Sequence, residues 1–201
     1  MQKLTKEEVS MTSSPVIPML PEDHAQPADL VAAIRARRGG MLLKLDRMLL
    51  HSPPFAEGWN VFLGKVRTDL SVPIKLRELV MCVVAVLNGA SFEYEHHAPI
   101  FVSAGGTTAQ ADMLAQVGTP NFSMQAFSAL EQNVILLAQA MTRDLLVASE
   151  IKSALVAEIG IQQTVELVGV VATYNMVSRF LLALDIHADD PVLRDEVFQA
   201  R

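Results

Sequence analysis

Residues 77–106 read RELVMCVVAVLNGASFEYEHHAPIFVSAGG, and their order specifies two helices joined at a sharp corner. Leu76, Leu79, Val80, Val83, Val84 and Leu87 recur at spacings of three and four, which marks a wide apolar stripe on one helix. Ser71 is placed to cap that helix, with Pro73 close behind it. Asn88-Gly89 ends it, because glycine accepts the left-handed conformation that turns the chain at a helix C-terminus. Ser91 is then placed to cap a second helix running to about Ala104, which Gly105-Gly106 closes. Pro99 falls inside this second helix, where it removes a donor and pushes against the carbonyl of Glu95, so a kink is expected near His96. The competing reading starts the helix at Ala98 and leaves Glu93 to His97 in a loop.

The same pattern extends on both sides. Four prolines among polar residues (Pro15, Pro18, Pro21, Pro27) predict an extended or disordered arm over residues 1–27, able to wrap a neighbouring subunit. Residues 28–201 are expected to form a single helical domain. Leu30, Val31 and Ile34 mark a short helix to Arg37, stopped by Gly39-Gly40. Leu42 to Leu50 is the next, ended by Ser52-Pro53-Pro54. Phe55, Trp59, Phe62, Leu63 and Val66 mark a third. Thr107-x-x-Gln110 has the form of a capping box ahead of a helix over 109–117. Phe127, Leu130, Val134, Leu137 and Met141 mark a long helix fading at Arg143-Asp144. Ser149 can cap a helix over 151–159 ended by Gly160, and the last main helix spans about 162–184. No strand-length alternation accompanies these signals, so the fold class is all-α.

Composition narrows the function. Of 201 residues, 51% are hydrophobic and 19% charged, with a mean hydropathy of +0.31. That is rich for a soluble monomer and predicts apolar surface covered by other subunits of a homo-oligomer. A net charge of -6 without a basic run argues against nucleic acid. One cysteine, Cys82, excludes an intrachain disulfide and a cysteine-based zinc cluster. Leu167 to Leu184 is the most apolar stretch. Asn175, Ser178 and Arg179 interrupt it, which predicts a buried helix instead of a membrane span. With no charged-then-apolar leader, a cytoplasmic location is the default expectation.

The candidate chemistry gathers beside the Gly89 corner. Glu93 and His97 are four apart and share a helix face. A carboxylate beside an imidazole orients the ring and suits it to move protons near neutral pH. His96 lies about 100° further round, and a solvated surface ion pair is the competing reading. Glu78, on the flank of the preceding helix, comes into range of His97 if the corner is tight; alone it would read as a carboxylate favouring a helix N-terminus. Asn175, Ser178 and Arg179 sit at spacings of three and four on an apolar helix. A buried arginine there needs a partner, either a substrate carboxylate held in a fork or a glutamate such as Glu78 or Glu95. Tyr174 is a candidate proton donor, or a packed side chain with one hydrogen bond. Cys82 reads as core. A metal site at Glu93, His96 and His97 is disfavoured because adjacent histidines point apart.

The run RELVMCVVAVLNGASFEYEHHAPI resembles the core of the carboxymuconolactone decarboxylase family, whose superfamily includes the AhpD-type alkylhydroperoxidases. The resemblance extends through LHSPPFAEGWNVFLGKVR upstream and ATYNMVSRFLLALDI downstream, over most of residues 40–186. It implies an all-helical protein assembled as a trimer or hexamer, working in the decarboxylase branch without metal or organic cofactor. The peroxidase branch carries a glutamate followed by a Cys-x-x-Cys and a histidine. Laid on this chain, the glutamate falls on Glu78, the cysteines on Ala90 and Glu93, and the histidine on His97. The proton-relay positions are kept and both thiols are missing, whereas thiol peroxidase chemistry needs an attacking and a resolving thiol. The expected function is therefore cofactor-independent acid–base chemistry, a lyase-type decarboxylation, elimination or isomerisation on a small oxo- or lactone-type carboxylic acid. In that expectation His97 moves the proton, Glu93 tunes it, Glu78 is a second carboxylate, and His96 or Tyr94 stabilises negative charge. Arg179, with Tyr174 and Asn175, binds substrate. The alternatives are a hydroperoxidase using Cys82 and a non-catalytic oligomer binding a small apolar ligand.

Overall fold

The computed structural model describes residues 15–189. Eight helices and no strands occur among them: α1 (Ala28–Arg37), α2 (Lys44–Leu49), α3 (Pro53–Thr68), α4 (Ile74–Asn88), α5 (Ser91–Ser103), α6 (Thr108–Leu114), α7 (Ala129–Arg143) and α8 (Ser149–Ala183). The chain divides into two compact units, one reaching to Glu57 and the other starting at Gly58.

In the first unit a buried carboxylate organises the polar contacts. Asp46 accepts from the backbone N–H of Leu43 at 3.0 Å, which caps α2, and from Arg38 at 3.2 Å. Arg37 approaches the same carboxylate at 3.6 Å. A buried charge is tolerated only when it is paired in this way. Of the expected N-terminal arm, residues 1–14 lie outside the described residues. The remainder is held by side chains of its own chain: His51 donates to the Pro18 carbonyl at 2.7 Å, Arg35 donates to the Glu22 carbonyl at 2.7 Å, and Arg47 donates to that of Leu20.

In the second unit α4 is the central element, packed against α5, α7 and α8. Its residues from Leu76 to Val86 are all buried. The sequence stripe covers one face only; neighbours on several sides remove the rest from water as well. Each large aliphatic side chain buried there contributes roughly 1.5–3 kcal/mol. Polar ties fix the start of α4. Arg77 donates to the Arg67 carbonyl at 2.6 Å and so satisfies the end of α3. Lys75 pairs with Glu131 at 2.6 Å. Glu131 also closes a capping box with Ser128 at the start of α7.

The corner forms as the sequence requires: Gly89 takes φ 76° and ψ 22° after Asn88. The box at Thr107 and Gln110 also forms. Three expected serine caps do not: Ser149 is the first residue of α8, behind an Ala148 N-cap with no side-chain bond. Pro73 occupies the N-cap of α4, and Ser71 donates to Glu166 at 3.0 Å instead. Ser91 is the first residue of α5, and its hydroxyl accepts from the Ala188 N–H at 3.1 Å. α5 runs through Pro99 without a break, so the loop reading of Glu93 to His97 is set aside.

α8 is interrupted at Gly160, where φ 79° and ψ 170° leave helical space. Beyond it one face, including Leu167, Val170, Val171, Tyr174, Val177 and Leu181, is buried. The opposite face is not. Ile161, Val165, Val168 and Met176 are exposed, so the stretch from Leu167, expected to be a buried helix, is buried on one face and open at Val168 and Met176 on the other. By length and composition α8 is also long and apolar enough to cross a membrane.

Candidate active site

Within the second unit, the Gly89 corner lays α5 against α4, and that packing brings Glu78 and His97 together across the two helices. His97 Nδ1 lies 2.7 Å from Glu78 Oε2. A carboxylate accepts, so Nδ1 carries the proton and donates it. The Glu78–His97 pair is buried, with 7% of Glu78 and 5% of His97 exposed. Burial lowers the pKa of His97, Glu78 opposes that shift, and Arg67 and His96 reinforce it; the net shift is downward. The ring is therefore neutral near pH 7, protonated at Nδ1. Nε2 is left with a lone pair and has no hydrogen-bond partner among the described residues.

Glu93 shares the α5 face with His97, as the spacing requires, but it is not the partner of that histidine. Its Oε2 meets the hydroxyl of Ser178 on α8. Its Oε1 is buried without a hydrogen bond, and only 3% of the residue is exposed. Burial raises its pKa to about 8, against the opposing pull of Ser178 and of the Arg67 charge. The expectation that Glu93 tunes His97 is thus corrected. The tight corner places the α4 carboxylate on the imidazole, and Glu93 is taken by α8.

Tyr174 joins the parts. Its ring meets His97 edge-on, with centroids 5.0 Å apart and planes at 83°. Its hydroxyl accepts from Arg67 Nε at 3.0 Å. Its backbone carbonyl accepts from Ser178 at 2.8 Å. Burial pushes the phenol up to about 12; Arg67 opposes this, and Glu78 and Glu93 add to it. The phenol is neutral at any physiological pH. Burial works against the charge of Arg67, but Tyr174, Glu78 and Glu93 outweigh it and hold the guanidinium above its ordinary range. Among the described residues its two terminal nitrogens have no hydrogen-bond partner.

The remaining expected site residues lie elsewhere. Tyr94 turns its hydroxyl to the Ala111 carbonyl at 2.5 Å, tying α5 to α6. That proton is committed, and an oxyanion role is lost. His96 is half-exposed; its Nδ1 donates to the Phe92 carbonyl at 2.8 Å, and its ring lies on Phe92 with centroids 4.3 Å apart. Arg179 is exposed and donates to both the carbonyl and the side chain of Asn175, each at 2.7 Å. It is not a buried substrate anchor, and among the described residues it has no glutamate partner. Asn175 also binds Asn88 at 3.2 Å and Thr142 at 3.0 Å, which makes it a brace between α4, α7 and α8. Cys82 is 0% exposed, and burial, then Glu78 and Glu93, push its thiol up. A thiolate nucleophile is not at hand. No group of three His, Cys, Asp or Glu is placed to hold a metal ion among the described residues.

Two residues of the site were missed in the sequence. Arg67 continues the four-residue spacing of Trp59 and Leu63 on α3, so a cation on the core-facing stripe was the available signal. Ser178 was grouped with Asn175 and Arg179, whereas its hydroxyl works with Tyr174 one turn earlier.

Comparison with known proteins gives a fold and little more. No family model matches the chain, and no curated protein matches it. The structure is similar to that of an uncharacterized peroxidase-related protein from Silicibacter sp. TM1040, with a TM-score of 0.72 and 14% identity over 93% of this chain and 100% of that one. The two proteins share an all-helical fold. At such low identity the likeness carries no activity across.

Proposed function

We propose that this protein is a cofactor-independent acid–base enzyme of the carboxymuconolactone decarboxylase-like kind. It acts as a lyase on a small oxo- or lactone-type carboxylic acid. One observation carries the reading: Glu78 holds the Nδ1–H of a buried His97 at 2.7 Å, so Nε2 is free to act as a base. Burial keeps the imidazole neutral at working pH, which is the form a general base needs. In proton abstraction beside a carbonyl, Nε2 takes the proton and the C–H electron pair becomes an enolate. In decarboxylation, the C–C pair passes into the same enolate as carbon dioxide leaves, and the proton that replaces it on carbon arrives through His97. The charge of Arg67, held against Tyr174, favours either anionic intermediate. The thiol peroxidase alternative has Ala90 and Glu93 at the positions of its two cysteines, and a buried Cys82.

The test is turnover of a panel of oxo- and lactone-type acids. His97→Ala is expected to lose ~10²–10⁴-fold in kcat/KM, the usual worth of a positioned acid or base. Full activity in that variant would refute the assignment.

A further inference from the structure

The polar atoms around Tyr174 do not balance if Glu93 is ionised. The Ser178 hydroxyl has one proton and two neighbours, the Tyr174 carbonyl at 2.8 Å and Glu93 Oε2. The carbonyl can only accept. A carboxylate at Glu93 would compete with it for that proton and would leave a charged Oε1 buried and unpaired, a costly arrangement. A carboxylic acid removes the first conflict and takes the charge off the second. Its Oε2–H donates to Ser178, and Ser178 donates on to Tyr174. Oε1 is then a neutral carbonyl oxygen, still without a donor. The other two open positions also meet Tyr174: Arg67 through its hydroxyl and His97 against its ring. One residue thus gathers a cation with free N–H groups and two acceptors awaiting donors.

We propose that Glu93 is a resident carboxylic acid, positioned by Ser178, and that its Oε1 accepts a hydroxyl from a small hydroxy acid whose anionic end pairs with Arg67. Resting on the reading of His97 and Glu78 as a functional site, this adds a ligand class to it. An ionised Glu93 would repel that anion; a neutral one accepts its hydroxyl. The pKa near 8 agrees with the neutral form.

Two measurements test it without turnover. Difference infrared spectroscopy on the whole protein is expected to show a protonated-carboxyl C=O band that titrates away near pH 8. Glu93→Gln should abolish the band, and Ser178→Ala should shift it. Calorimetry with glycolate and acetate as probes should show glycolate binding roughly tenfold more tightly, the worth of one donor to an unsatisfied buried acceptor. Arg67→Gln should weaken both. Glu93→Gln, which keeps the acceptor, should preserve the glycolate preference, and Glu93→Leu should erase it. Absence of the band, or equal affinity for the two probes in the parent protein, overturns the proposal. The His97→Ala activity test stands or falls separately, since neither readout here involves His97 chemistry.

Discussion

At the residue scale the site is a question of what each carboxyl meets. Glu78 spends an oxygen on the His97 N–H, whereas Glu93 is driven neutral by burial. Glu78→Ala leaves a buried donor without an acceptor, so a loss of about 1–3 kcal/mol in urea unfolding is expected. Glu93 carries a pH signature of its own. Its pKa rises from 4.5 to about 8 on folding, so the native state binds more protons than the unfolded chain between those values. That stability is complete below 4.5 and is lost as pH rises to about 8. Glu93→Gln should remove this slope, and thermal melts across that window should show the variant gaining on the parent protein as pH increases. A parallel pair of curves would mean that Glu93 is ionised throughout. The Glu78, Glu93 and His97 cluster was legible in the sequence because helical spacing and a glycine corner constrain it. The pairing within it was not, because spacing tells which side chains share a face and leaves open what that face meets. Arg179 and Tyr94 show the same limit: each sits at a suggestive spacing, and each is committed to a structural bond.

At the element scale the α4–α5 corner sets the geometry. Gly89 adopts φ 76°, and a Cβ built there meets nothing within 4 Å. Gly89→Ala should therefore cost only the backbone strain of a left-handed residue, roughly 1–2 kcal/mol. A much larger loss in a denaturant titration would reveal a steric role that the geometry does not contain. Helix order, the Gly160 break and the capping box at Thr107 were readable because each depends on residues close in sequence. The caps at Ser71 and Ser91 were misread for the converse reason. Partners about a hundred positions away, Glu166 and the Ala188 N–H, claim those hydroxyls.

At the scale of the whole molecule the exposed α8 stripe matches the apolar excess in the composition. Ile161, Val165, Val168 and Met176 repeat at spacings that keep them on one side of the helix. We propose that a homo-oligomer covers this stripe, so Val165→Glu should shift the mass by light scattering toward the monomer; an unchanged mass would place the interface elsewhere. The all-α class was plain from periodicity alone, but a single sequence does not say which apolar residues a monomer leaves exposed. The central claim concerns one proton, and nitrogen NMR of the His97 ring at neutral pH reads it directly. The expected result is a neutral imidazole with its proton on Nδ1 and an unprotonated Nε2, changed in Glu78→Ala. A ring protonated at Nε2, or an imidazolium persisting at pH 7, would contradict the assignment of His97 as the base.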